Sequence, residues 1–241
     1  MPTRIVYLHG MGGAPDDWRD VQKALPGVAL PLETGGASPE SCAEGLAETV
    51  LDQVSGSYAL CGYSMGGRLG VLTAQKLMEG KRKPEALILV SAGLGMATEA
   101  EAAQRRAQDE TWAALAENNA DEFWEKWYDQ ELFASFRSLP EANRNAWMEP
   151  RKSMDIKSLS SQLRALGPGC HGNLLPVLKD LVSRGLRVLY IAGELDKKYL
   201  DLAQSLRAIP KLTVETIAGA GHVLPAEAPG ALAMRIARFL K

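Results

Sequence analysis

The sequence predicts an α/β fold: a mostly parallel sheet flanked by helices, with a helical cap inserted near its middle. Three observations predict it. Short, continuous apolar runs alternate with segments of helical character, and such runs suit strands whose two faces are both covered by helices. One run, Tyr58-Ala59-Leu60-Cys61, ends in Gly62-Tyr63-Ser64-Met65-Gly66 and passes into a helix-compatible segment. Gly-x-Ser-x-Gly in that setting is a sharp strand-to-helix turn that presents a serine hydroxyl at the end of a parallel sheet. Finally, the texture changes after Gly95: from about 97 to 168 the chain is polar, helical and rich in tryptophan, with Trp112, Trp124, Trp127 and Trp147 among the five in the sequence.

The elements follow in order. Ile5-Val6-Tyr7-Leu8 reads as a buried strand and His9-Gly10-Met11-Gly12-Gly13 as the loop after it. Asp16 is placed to cap a helix to about 24. Val28-Ala29-Leu30 reads as a second strand. Ser38-Pro39-Glu40 opens a helix to about 54, with proline at the first helical position. The strand 58–62 and its helix 65–79 come next, then the strand Ala86-Leu87-Ile88-Leu89-Val90. The sheet pattern resumes with Leu186-Arg187-Val188-Leu189-Tyr190-Ile191-Ala192. A helix over 199–208, the strand 212–217 and a last helix over 227–240 complete the chain. The division expected is a first core segment 1–96, a cap 97–170 and a second core segment 171–241.

At 241 residues the chain is long enough for one full core with an insertion. A net charge of −2 gives no global field to recruit nucleic acid or an anionic membrane. The opening Met1-Pro2-Thr3-Arg4 runs straight into the first strand, without the apolar segment of a signal peptide or membrane span. Cys42, Cys61 and Cys170 lack metal-ligand spacing, and their odd number suits reduced thiols. The expectation is a cytoplasmic enzyme with no cofactor, no metal, and a small molecule as its partner.

A serine hydroxyl is a weak nucleophile or base until a neighbouring base, oriented by an acid, activates it. The sequence holds three histidines, His9, His171 and His222. His222 lies in Ala218-Gly219-Ala220-Gly221-His222, just past the last strand run. Asp196 lies in Gly193-Glu194-Leu195-Asp196, past the preceding one, with Glu194 the competing acid and a helix cap the competing role. The order Ser64, Asp196, His222 is that of the α/β-hydrolase fold. The loop after the first strand lies beside the serine turn in that fold, so backbone N–H groups of Met11 and Met65 are the candidate oxyanion hole. His9 reads as a residue that bonds its own loop, and His171 as a capping or surface residue. Side chains at Gly62 and Gly66 would collide as strand and helix converge.

Arginines add a further hint. Arg68 lies one helical turn past Ser64, Arg105 and Arg106 share the first cap helix, and Arg151 lies near the end of the cap. Converging guanidinium forks suit a polyanion, while each arginine taken singly also reads as a solvated surface charge.

The run Gly62-Tyr63-Ser64-Met65-Gly66-Gly67-Arg68, then Arg105-x6-Trp112, Phe123-x3-Trp127-Tyr128-x4-Phe133-Ala134-Ser135, Arg151, Gly193-Glu194-x-Asp196-x-Lys198 and Gly221-His222, resembles the menaquinone-pathway lyases of the α/β-hydrolase fold. These are the 2-succinyl-6-hydroxy-2,4-cyclohexadiene-1-carboxylate synthases. The resemblance runs from His9 to the last helix. It departs at Leu30-Pro31-Leu32-Glu33-Thr34-Gly35-Gly36, where that family usually carries Pro-Gly-His-Gly, and in an N-terminus too short for a leading hairpin. The resemblance implies a substrate with three carboxylates, on a succinyl arm, the ring and an enolpyruvyl ether. It implies serine as the base that removes a ring proton, an oxyanion hole for the succinyl enolate, and elimination of pyruvate. By the same resemblance Arg68, Arg105 and Arg151 grip carboxylates while Tyr63, Trp127 and Tyr128 line the pocket. The residues alone equally allow a serine hydrolase of esters, thioesters or carbon–carbon bonds on a small anionic substrate, and a silent binding protein reusing the fold.

Overall fold

A computed structural model describes residues 3–32 and 38–241. Glu33 to Gly36, where the sequence departs from the resembled family, lie outside the described residues, as do Met1 and Pro2.

Six strands form one sheet in the order β2-β1-β3-β4-β5-β6, and every pairing among them is parallel. They are β1 (Arg4–Leu8), β2 (Gly27–Leu30), β3 (Tyr58–Tyr63), β4 (Ala86–Val90), β5 (Arg187–Gly193) and β6 (Leu212–Ile217). Side chains of successive strand residues point to opposite faces, and the core divides accordingly. Val6, Leu8, Leu60, Leu87, Leu89, Val188 and Tyr190 face one layer of helices. Ile5, Tyr7, Cys61, Ile88, Val90, Leu189 and Ile191 face the other. Burial on both faces is why the strand runs are continuously apolar.

Between β1 and β2 the chain forms a 3-10 turn, Pro15–Trp18, and the short α1 (Arg19–Gln22). The expected Asp16 cap is not made: Ala14 occupies the N-cap and Asp16 lies inside the turn, which Pro15 opens. Helices α2 (Pro39–Gln53) and α3 (Met65–Glu79) match their expected spans, and Ser38 Oγ accepts the Ser41 N–H at the start of α2. After β4 come α4 (Glu99–Asn118), α5 (Ala120–Asp129), α6 (Ala134–Arg137), α7 (Glu141–Lys152) and α8 (Ile156–Leu166). Their own sequences start them: Thr98 and Glu101 form a reciprocal capping box, Asn119 caps α5 and Asp155 caps α8. Phe123, Trp124, Ala113, Leu159 and Leu163 make a separate small core for this group.

The chain on either side of this helical segment meets at one place. Met96 N–H donates to His171 O and Leu174 N–H to Leu94 O. Gly95, at φ +75°, comes so close to Gly172 O that a Cβ would lie 1.9 Å from it. The chain then runs through α9 (Leu175–Ser183), α10 (Lys197–Leu206), α11 (Leu224–Glu227) and α12 (Pro229–Leu240). The expected last helix is α12, and the short α11 precedes it, separated by Ala228 at φ −147° ahead of Pro229.

Parallel pairing carries the ends of β1, β3, β5 and β6 to the same edge of the sheet, and His9, Ser64, Asp196 and His222 all follow those ends. Ligands of open parallel sheets bind at that edge.

Candidate active site

Ser64 joins β3 to α3 with φ +51° and ψ −109°, a conformation L-residues rarely adopt. Its N–H donates to Val90 O at 2.9 Å, so the neighbouring strand holds the turn. The flanking glycines are sterically required. A Cβ on Gly62 would lie 2.3 Å from Gly66 O, and one on Gly66 would lie 2.4 Å from both His9 O and Leu8 O.

The structure brings the three expected residues together. Ser64 Oγ lies 3.3 Å from His222 Nε2, and His222 Nδ1 lies 2.7 Å from Asp196 Oδ2. An Nδ1–H donating to Asp196 leaves the Nε2 lone pair facing the hydroxyl, the tautomer a general base requires. Asp196 also accepts the Tyr199 N–H through Oδ1 at 3.4 Å. It is therefore both N-cap of α10 and partner of the imidazole, combining two roles that the sequence left as alternatives. Glu194, the competing acid, is exposed and accepts the Gly219 N–H at 2.9 Å.

His9 does bond its own loop. Leu32 N–H donates to His9 Nε2 at 3.1 Å, so Nδ1 carries the proton given to Gly10 O at 2.8 Å. Burial lowers its pKa. Met11 sits in the next position of that loop, and Met65 is the first residue of α3, where a backbone N–H has no carbonyl one helical turn back to donate to. The contact of Gly66 with His9 O sets these two segments side by side.

His171 is buried, against the expectation of a capping or surface residue. Its Nε2–H donates to Leu166 O at 3.3 Å, and burial pushes its pKa well down. Its backbone carbonyl accepts the Met96 N–H across 75 residues of chain, a contact that local sequence does not encode.

Three aromatic rings surround His222: Tyr199 at 4.8 Å, Tyr63 at 5.5 Å and Phe133 at 5.8 Å between centroids. Of these the sequence singled out Tyr63 as a pocket residue. Phe133 was legible only as part of the Phe-Ala-Ser run, and Tyr199 only by its place three residues past Asp196. Tyr128 and Trp127 stand one layer further back, against Phe133 at 4.8 and 6.3 Å. The Tyr128 hydroxyl accepts the Trp147 Nε1–H at 2.9 Å. Burial raises the pKa of Tyr63, Tyr128 and Tyr199 alike, keeping these phenols neutral.

The arginines separate into two groups. Arg68 is buried beside Tyr199 and Arg105; its Nη2 donates to Leu166 O at 3.0 Å, and its Nε has no partner among the described residues. Burial depresses its pKa to about 10. Arg105 gives one nitrogen to Asp109 at 2.8 Å. Lys198, exposed near the same spot, makes no ion pair among the described residues, and desolvation, Arg105 and Arg68 lower its pKa. No role had been assigned to Lys198. It lines a groove of about 680 Å³ with Leu132, Ser135, Leu195 and Asp196. Arg151 stands apart. Both its terminal nitrogens bind Asp17, at 2.9 and 2.8 Å, it lies 4.0 Å from the Trp147 ring centroid, and only its Nε is unpartnered. Burial opposes its charge most strongly, but Asp17, Tyr128 and Tyr63 together outweigh burial and raise the pKa.

Among the described residues no group of histidine, cysteine and acidic side chains is arranged to hold a metal ion, and no helix is long and apolar enough to cross a membrane. A model of the alpha/beta hydrolase family matches residues 5–235. The chain belongs to that family of enzymes. Relatives within it carry the name that the sequence pattern suggested. The chain is 30% identical over 248 aligned residues to the 2-succinyl-6-hydroxy-2,4-cyclohexadiene-1-carboxylate synthase of Yersinia pestis (strain Pestoides F), covering 98% of this chain and 86% of that protein. The Haemophilus influenzae protein described as a putative synthase of the same name is 30% identical over 231 residues, 90% of this chain and 89% of its own. Among solved structures, MenH from S. aureus superposes with a TM-score of 0.88 at 25% identity, over 99% of this chain and 93% of its own. The resemblance read from the sequence is thus borne out at the level of the family's members.

Proposed function

We propose that this hydrolase-family enzyme is a carbon–oxygen lyase of menaquinone biosynthesis, eliminating pyruvate from a tricarboxylate cyclohexene. The observation that carries the reading is Arg68: a buried guanidinium beside the serine turn, with no carboxylate partner among the described residues. Asp109 acts on it only from beyond ion-pair distance and is itself paired with Arg105; a buried cation without a direct counter-charge is costly, which suits an anionic ligand. Arg105 and Lys198 extend the positive surface, while Arg151 is held by Asp17 and keeps only its buried Nε without a partner among the described residues. Residues 97–170 act as a cap closing over this edge, with Tyr63, Trp127 and Tyr128 in its lining.

The chemistry follows from the triad geometry. His222 takes the Ser64 proton while Asp196 steadies the imidazolium. The Ser64 alkoxide removes the ring proton next to the succinyl ketone, becoming a hydroxyl again. Charge passes to the ketone oxygen, which the N–H groups of Met11 and Met65 stabilise. Collapse of the enolate through the ring double bond expels the enolpyruvyl oxygen. His222 returns its proton to the departing enol, which tautomerises to pyruvate. No acyl-enzyme forms.

A second reading, hydrolysis of an anionic ester, is favoured by the strained φ of Ser64, which serves a nucleophile equally well. The two separate on charge and bond. Turnover of a tricarboxylate enolpyruvyl ether and of a neutral nitrophenyl ester is compared in the wild type and in Arg68→Met and Arg105→Met. The lyase reading expects loss on the tricarboxylate with far less change on the ester. Equal loss on both would refute the role given to the arginines.

A further inference from the structure

The loop that carries His222 is Ala218-Gly219-Ala220-Gly221, with Gly219 at φ +69°. Such a run has little conformational preference of its own. Yet His222 must reach two partners at once, Asp196 at 2.7 Å and Ser64 at 3.3 Å. The carboxylate of Glu227 supplies the missing restraint. Its Oε2 accepts the Gly221 N–H at 2.6 Å and its Oε1 accepts the Val223 N–H at 2.8 Å, so one side chain holds the peptides on both sides of His222. The Glu227 N–H in turn donates to Val223 O at 2.8 Å, closing a ring. A helix cap would bind only the first N–H groups of α11; the Gly221 N–H lies before its N-cap residue, Val223. From the cap side, Ser135 Oγ fills the space where a Gly221 Cβ would be, 1.8 Å away.

We propose that Glu227 is a positioning residue for His222, locking the imidazole in the orientation that spans Ser64 and Asp196. This rests on the reading of those three as a triad. Displacing a catalytic group by about 1 Å can cost about 100-fold in rate, so loss of the clamp is felt at Ser64 and not in substrate affinity.

The test reads the triad without assuming a substrate: the rate at which a fluorophosphonate labels Ser64, followed by intact mass. Glu227→Gln keeps one accepted bond but turns its amide NH2 against the other N–H, and Glu227→Ala loses both. The expected result is labelling slowed roughly 10-fold in the first and roughly 100-fold in the second, with circular dichroism unchanged. On the turnover substrate kcat falls while KM holds, and the downfield proton resonance of the His222–Asp196 hydrogen bond broadens. If Glu227→Ala fails to fold, the near-isosteric Glu227→Gln decides. A folded variant labelled at the wild-type rate, or a fall in KM-dependent binding with kcat intact, would overturn the proposal. A wild type that resists labelling would overturn the triad reading itself, and this inference with it.

Discussion

Asp196 faces two partners with one carboxylate: Oδ2 lies 2.7 Å from His222 Nδ1, while Oδ1 accepts the Tyr199 N–H at 3.4 Å. Capping α10 fixes the rotamer that aims the second oxygen at the imidazole. Asp196→Asn presents either an amide NH2 or a neutral oxygen to Nδ1, so the wrong tautomer is favoured. Turnover is expected to fall by about 10³- to 10⁴-fold with the fold kept. Glu194→Gln should leave turnover little changed, since Glu194 only holds the Gly219 N–H. Steady-state rates on the two variants check the assignment of the acid.

Arg68 sets activity against stability. Its one hydrogen bond goes to Leu166 O, which also accepts from His171, so truncation orphans no carbonyl. Arg68→Met is expected to raise the melting temperature by about 2–4 °C, corresponding to about 1 kcal/mol for a chain of this size. A charge-assisted contact of about 1.5–3 kcal/mol would be lost to the substrate, so kcat/KM on a tricarboxylate should drop roughly 10- to 100-fold. Calorimetry and kinetics on the same sample read both.

Arg151 and Asp17 are both buried and joined by two hydrogen bonds, 134 residues apart in sequence. This pair ties α7 to the 3-10 turn after β1. Asp17→Asn leaves the guanidinium without its counter-charge and is expected to cost about 3–5 kcal/mol in urea unfolding. Adding Arg151→Met should restore much of that loss, since a neutral pair no longer strands a charge. A double variant as unstable as the single one would show that packing, and not charge, holds the contact.

Two buried histidines give acid sensitivity. Burial lowers the pKa of His9 and of His171 below the unfolded value of about 6.5. Above that pH both states are neutral and the groups have no effect. As pH falls below it, the unfolded chain binds protons that the folded chain refuses, so stability drops. The slope approaches about 1.4 kcal/mol per pH unit for each histidine until its folded pKa is reached. Denaturation midpoints from pH 7 to 5 should therefore fall in the wild type and fall less steeply in His171→Gln.

Much of the fold was written locally. Ala86–Val90 reads as a strand because both faces are buried, and the spans of β3 and α3 follow from one apolar run meeting Gly-x-Ser-x-Gly. The grouping of Ser64, Asp196 and His222 was legible because each follows its own strand, and parallel pairing does the rest. What escaped depends on distant contacts. Phe133 meets His222 only because α6 folds against the loop before α11. His171 is buried where its segment meets Leu94–Met96. Arg151, expected by resemblance to grip a substrate carboxylate, has both terminal nitrogens on Asp17, and no pattern near either residue announces the other. Glu227 gave no sequence signal either, since its partners are backbone N–H groups.

The most direct measurement is pyruvate release. The enolpyruvyl cyclohexene tricarboxylate is incubated with the protein, and pyruvate is followed through a coupled lactate dehydrogenase, in the wild type and in Ser64→Ala. The account predicts one pyruvate per substrate consumed, a succinyl-bearing diene as the other product, and loss of the signal in Ser64→Ala. Consumption of substrate without pyruvate, or pyruvate formed equally by Ser64→Ala, would contradict it.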